Sequence, residues 1–458
     1  MADMNKHLFL LCLTCAGSLT MLAPVTAAPA AAQNPQDDLN TILQDMVKRN
    51  SDDFYAAAAA EYDAGGDMSS FTKKMEAAAG KGNAAAMLWN ARYQNMFAAK
   101  SPGVTDLTQK LLEKAAATGY VPAMVEYAGQ VFSRADSETD RKKAMRVLME
   151  ACKKGSSKAR ALYLMVSGRM QSGGITSPEI VSELKKKNYY LEEMIAAAQQ
   201  DESSFLMWME RAAEHGSAFA AFTLCEFVPQ DKAEKFMKLA EERHLPAALG
   251  HVGLMTVRQQ AARMEAYDAA IAAEGLRKLH ISAMMCTPVA MNSLASLYAE
   301  GYGDKVSKEL ICELFRVAHD CGDPNGTAGL GYCMVMGAGC KQEPAAGLAL
   351  MEKARDKGAQ WVNQALASMY FNGDGVPADM DKAISALTDD YVSGSRHAYA
   401  IMAAITKLGN ATTKPDEKRA QLFLDMAVAN GDAHARVFYD MIVKEGKWRF
   451  LELLAEKP

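Results

Sequence analysis

The sequence predicts an all-α fold, an α-solenoid of about eleven helix–turn–helix repeats of about 36 residues each. Three observations carry this prediction. Gly301, Gly337, Gly373 and Gly409 stand 36 residues apart. Gly322, Gly358 and Gly394 form a second ruler of the same period, continued by Gly431 and preceded by Gly82, Gly119 and Gly155. Four residues after each second-ruler position an alanine recurs, at Ala86, Ala123, Ala159, Ala220, Ala248, Ala290, Ala398 and Ala435, with Gly326 and Val362 taking its place. The composition agrees: half of the 458 residues are hydrophobic, 30 are Met, and runs of Val, Ile and Thr that would favour strands are hard to find.

In chain order, residues 1–32 read as a secretory signal peptide. Lys6 precedes an apolar run from Leu8 to Leu22, and small residues follow, with cleavage expected after Ala27 or Ala32. The mature chain is then periplasmic or secreted. An uncleaved anchor is the competing reading, but the run is short for a span. No other segment has the length and apolarity to cross a bilayer. Cleavage removes Cys12 and Cys15 and leaves seven of the nine cysteines.

Residues 33–50 form a linker or helix, and 51–170 hold the N-terminal repeats. Each repeat begins with a helix of small and apolar residues, as in Ala365, Leu366, Met369 and Tyr370, capped by a left-handed glycine such as Gly373. The second helix starts near Ser307, Pro344, Asp379 or Pro415 and stops at the second-ruler glycine. The alanines let neighbouring helices approach closely. Gly155 and Gly216 are 61 residues apart, so a helical insertion is expected at 171–205. The C-terminal repeats occupy 206–446, with His244 and Cys286 standing where glycines would. Residues 447–458 read as a capping helix that covers the last hairpin with Trp448, Phe450 and Leu451. Stacked in a line, the pairs should give a curved rod with a groove.

These segments resemble the Sel1-like repeat family, relatives of the tetratricopeptide arrays. The closest copies are "LASMYFNGDGVPADMDKAI" within 365–394 and "LASLYAEGYG" within 293–322; "LLEKAAATG" before Gly119 and "MERAAEHG" before Gly216 match the family's helix end. The resemblance implies a right-handed superhelix whose concave face binds proteins or peptides, and a scaffolding, regulatory or host-interaction role.

The chemistry-bearing residues do not assemble into a reaction centre. "NGDGVPADMD" lacks the alternate ligands and closing Glu of a calcium loop. "GLGYCMVMGAG" has no strand before it, so a dinucleotide site is not expected. The eight histidines form no paired motif for zinc; His215, His244 and His397 fall near helix ends, a structural placement. The run "ELKKKNYYLEE" reads as a solvated helix, and the net charge of −5 gives no reason to expect nucleic acid. No enzyme activity, cofactor or metal is expected. Cys312 and Cys333 lie ten residues before and eleven after the Gly322 turn, so they face one another at one level of a hairpin. Either a disulfide or two buried thiols satisfies that spacing.

In helical-hairpin arrays the first helices usually line the concave side, and there the positions next to the packed alanine face solvent. Here these are Arg160, Met291, Asn292, Asn363, Gln364, Tyr399 and Arg436. Amides can bond an extended peptide's main chain whatever its sequence, and Tyr and Arg are common anchors. A protein or peptide partner is therefore expected. A receptor for cell-wall or host glycan, using Trp361 and Tyr399, is the alternative.

Overall fold

A computed structural model describes residues 39–96, 102–134, 137–167, 177–262, 268–303, 306–359, 361–392, 394–395, 397–446 and 448. The described residues hold α-helices and no strand. They fall into two compact units that divide between Ala290 and Met291.

In the first unit, α1 (Leu39–Arg49) precedes seven helix pairs: α2 (Tyr55–Asp63) with α3 (Met68–Gly80), α4 (Ala84–Met96) with α5 (Pro102–Ala117), α6 (Val121–Arg134) with α7 (Glu138–Lys153), α8 (Ser157–Val166) with α9 (Pro178–Lys185), α10 (Tyr189–Ala197) with α11 (Glu202–Glu214), α12 (Ala218–Leu224) with α13 (Gln230–Glu242), and α14 (Pro246–Ala262) with α15 (Ala269–Met284). Across the division and through the second unit follow α16 (Pro288–Ala299) with α17 (Lys308–Asp320), α18 (Pro324–Met336) with α19 (Pro344–Asp356), α20 (Val362–Asn372) with α21 (Met380–Val392), α22 (Ala398–Leu408) with α23 (Glu417–Ala429), and finally α24 (Ala435–Glu445). The all-α repeat fold expected from the two glycine rulers is therefore present.

Both rulers mark left-handed backbone. Every ruler glycine has positive φ, and so do His244 (φ 52°) and Cys286 (φ 68°), the two residues that replace glycine. Gly337 and Gly373 cap α18 and α20 in the left-handed conformation. Side-chain caps open many second helices: Ser307 accepts from Leu310 N, and Asp416, one residue beyond Pro415, accepts from Arg419 N.

Two expectations change. The helical insertion expected at 171–205 holds, among its described residues, α9, α10 and the first residues of α11, with Lys187 at φ 56° between α9 and α10. Lys187 stands where a ruler glycine would, and Leu191, fully buried four residues on, takes the alanine's place. The segment is thus another repeat junction whose glycine and alanine have been replaced. The proposed signal peptide, residues 1–32, lies outside the described residues, as does the capping helix except for Trp448.

The second change concerns the rod. In the first unit the chain returns to its own beginning. The N–H of the Trp89 indole on α4 donates to Met284 O at the end of α15, 2.8 Å away. Arg277 grips Asp63 with two bonds of 2.8 Å. Tyr55 stacks on His244 with ring centroids 3.9 Å apart, and His244 Nδ1 lies 2.8 Å from Asp53 Oδ2. Leu249, Ile281 and Met284 share one buried cluster with Leu43, Phe71 and Trp89. Helix pairs that are far apart in sequence therefore cover each other's apolar surface, as well as each pair covering the next.

Candidate binding surface

First and second helices differ in how they are buried, and this decides which side chains face a ligand. In α22 eight of eleven residues are buried, from Ala398 through Thr406. In α23 only Ala420, Leu424 and Ala427 are, a single stripe at helical spacing. The same contrast separates α18 from α19. The first helices α18, α20 and α22 are packed on nearly all sides by their partners and neighbours. Small residues make this feasible. A Cβ on Gly331 would lie 2.6 Å from Gly347 O, so α18 and α19 touch backbone to backbone.

Several of the residues expected to face a ligand are consumed by this packing. Met291 is completely buried and Asn363 is 4% exposed, so neither presents a side chain to solvent. The position beside the packed alanine turns inward because a helix packed on several sides has no free face there. Asn363 Oδ1 and Asn292 Oδ1 are buried without a hydrogen-bond partner. Gln364 Nε2 donates to Asp390 Oδ2 at 2.9 Å, a contact from α20 to its own partner α21. Tyr399 is half-buried between Tyr391 and Phe423, with centroids 4.5 and 6.3 Å away. Arg436 is exposed and pairs along its own helix with Asp440 at 3.0 Å.

Arg160 lines an open groove of about 470 Å³, together with Tyr163, Leu164, Pro178, Ser182 and Glu183. Its charge is already engaged. Arg160 Nε donates to Glu183 Oε2 at 3.0 Å, and Lys186 Nζ (2.7 Å) and Asn188 Nδ2 (3.1 Å) donate to the same carboxylate. Burial works against the Glu183 charge, but the bonds from Lys186, Asn188 and Arg160 hold its carboxyl below the ordinary range. The three helix-end histidines also face carboxylates. His215 Nδ1 lies 2.8 Å from Glu192 Oε2 and His397 Nδ1 lies 3.0 Å from Asp432 Oδ2, alongside the His244–Asp53 contact.

A different amide handles peptide main chain. Asn372, the last residue of α20, donates through Nδ2 to Trp448 O at 2.7 Å and to Ser368 O at 2.8 Å. Ser368 Oγ lies 3.5 Å from the same Trp448 carbonyl. Trp448 lies two residues beyond the left-handed Gly446 that ends α24, and its carbonyl reaches α20. Sequence reasoning placed ligand contacts at the start of the first helices, whereas Asn372 sits at a first-helix end. Its signal was the pair Asn372–Gly373, an amide immediately before the left-handed cap.

Among the described residues, no three His, Cys, Asp or Glu side chains are arranged to hold a metal ion, and no helix is long and apolar enough to cross a membrane. Cys312 and Cys333 are free thiols here.

A profile of the Sel1 repeat matches residues 206–217, 324–358 and 364–385. These three stretches are similar to the Sel1 repeat. The matched stretches are the end of α11, the α18–α19 pair with its terminal Gly358, and the α20–α21 pair, so the Sel1 match follows the hairpins seen in the structure. Solved structures with similar arrangements include a Sel1 repeat protein from Oxalobacter formigenes (18% identity; 77% of this chain and 94% of that chain; TM-score 0.33). Another is a protective antigen present in uropathogenic Escherichia coli strains displaying an SLR fold (16% identity; 84% and 95%; TM-score 0.36). A third is a sel1 repeat protein from Klebsiella pneumoniae subsp. pneumoniae (16% identity; 54% and 96%; TM-score 0.25). No curated protein matches this chain significantly.

Proposed function

We propose that this Sel1-repeat protein is a periplasmic or secreted scaffold that binds an extended segment of a protein partner along the first helices of its second unit. The carrying observation is the Asn372 amide donating to the Trp448 carbonyl, backed by Ser368. An amide that holds a carbonyl of non-helical chain reads no side chain, so it accepts an extended peptide of varied sequence. The peptide would take the place of the chain's own Trp448 segment. A scaffold role, rather than a catalytic one, fits side chains whose charges are satisfied by neighbours in the fold, as at Arg160 and Glu183.

The test is site-specific photo-crosslinking in the native envelope, with Asn372 kept and the photoreactive residue at the neighbouring position 374, and, as a control, at the exposed Leu422 on α23. Protein adducts at 374 and none at 422 support the reading. Adducts to glycan at 374, or equal adducts at both positions, overturn it.

A further inference from the structure

Cys312 on α17, Cys333 on α18 and Cys340 in the loop after α18 come together although the spacing paired only the first two. α17 and α18 run antiparallel about the turn at Gly322 and Asp323. The loop beyond Gly337 folds back on α17: a Cβ on Gly339 would run into Lys308 O, so loop main chain rests on the first turn of α17. Cys312 is one helical turn further on. The thiols of Cys333 and Cys340 both hydrogen-bond to Cys312, and Arg316 Nη2 stands 3.8 Å from its sulfur. Cys312 and Cys333 are fully buried, while Cys340 is partly exposed.

We propose that these three residues form a thiol–disulfide exchange site, in which a small-molecule or protein disulfide enters at Cys340 and the cross-link passes through Cys312 to Cys333. The trio is not arranged to hold a metal ion, and the reaction open to adjacent thiols is sulfur–sulfur bond formation. The Cys333 bond, the Cys340 bond and Arg316 favour a thiolate at Cys312 against the cost of burial, whereas burial and the same thiolate keep Cys333 and Cys340 protonated.

The steps balance. Cys340 passes its proton to the Cys312 sulfur and attacks one sulfur of the incoming disulfide RSSR; that bond breaks and RS⁻ leaves. Cys312 gives that proton to the departed RS⁻ and attacks the Cys340 sulfur, and the second RS⁻ leaves. The Cys340 thiol and the Cys312 thiolate have then lost two electrons and one proton, and RSSR has become RSH and RS⁻. Cys333 next attacks the Cys312 sulfur and releases Cys340 as a thiolate, which takes the Cys333 proton with no net electron transfer. The product ties α17 to α18 and frees the loop cysteine. The site joins two helices in the interior, so it is separate from the main-chain contact at Asn372.

The test uses the full chain, reduced, then incubated with oxidised glutathione, quenched, unfolded in alkylating reagent and mapped by mass spectrometry. The wild type should give Cys312 bonded to Cys333 or Cys340, with buried Cys225 recovered as a thiol. Cys340→Ser should slow formation of the Cys312–Cys333 bond at least tenfold without abolishing it. Cys312→Ala, shown to be folded by circular dichroism, should form the glutathione adduct on Cys340 more slowly and then retain it unresolved. The proposal fails if the wild-type trio stays reduced, if Cys340→Ser oxidises at the wild-type rate, or if Cys333 pairs outside the trio.

Discussion

The smallest scale at which this fold is decided is a missing methyl group. Gly331 and Gly347 face each other across α18 and α19, where an added Cβ would meet backbone at 2.5–2.6 Å. Backbone does not move aside as a flexible side-chain end does, so Gly331→Ala should cost about 1–3 kcal/mol of stability, read as a lowered midpoint in urea. At Gly322 an added Cβ meets nothing within 4 Å, yet φ is +89°. There the penalty is backbone strain alone, about 1–2 kcal/mol for Gly322→Ala. Histidine gives the second residue-scale prediction. Burial pushes the His280 imidazole down to about 4, and burial lowers His251 as well. Below the ordinary range near 6.5 the unfolded chain takes up a proton that the folded chain refuses. Stability should therefore fall as pH drops from 6.5 towards 4, by about 1.4 kcal/mol per pH unit for one such group. Thermal melting across that window checks this, and His280→Gln should show the shallower fall.

At the scale of elements, the two helices of a repeat carry different burdens. Second helices such as α23 bury one stripe and are readable as amphipathic. First helices such as α22 are buried on most sides, which is why a position chosen as solvent-facing on a helical wheel, Asn363 or Met291, proves to be interior. The contact between α2 and α15 is likewise an element-level device. Arg277 is 20% exposed and bonds Asp63 through two nitrogens, a geometry stronger than a single surface pair. Arg277→Ala should lower stability by about 1 kcal/mol and speed amide exchange in α2 and α15 together. Trp89→Phe, which strands the Met284 carbonyl without its indole donor, should cost about 1–3 kcal/mol by the same denaturation assay.

The whole first unit behaves differently from a linear array in which each repeat meets only its neighbours. Such an array frays from its ends. Here the first pairs are held by the last, through Trp89, Asp63, Tyr55 and Asp53, so opening either end breaks contacts at both. Hydrogen exchange followed by mass spectrometry should show α2 and α15 sharing one opening free energy. A gradient of protection falling steadily towards α2 would contradict that.

The sequence alone determined the local grammar of the chain. Left-handed backbone is a property of single residues and their immediate neighbours, so the glycine rulers located the helix ends, and even His244 and Cys286 kept the conformation of the glycines they replace. The alternation of paired helices follows from the same local signals, and it was legible almost everywhere except at Lys187, where neither glycine nor alanine marks the junction. Tertiary structure decided everything that depends on residues meeting from afar. The closure of the first unit, the arrival of Cys340 beside Cys312, the burial of Asn363 and the Asn372–Trp448 contact all rest on how helices stack in three dimensions. A period of 36 gives the length of a repeat but not the small rotation between repeats. That rotation, accumulated over seven helix pairs, determines which distant side chains share a surface.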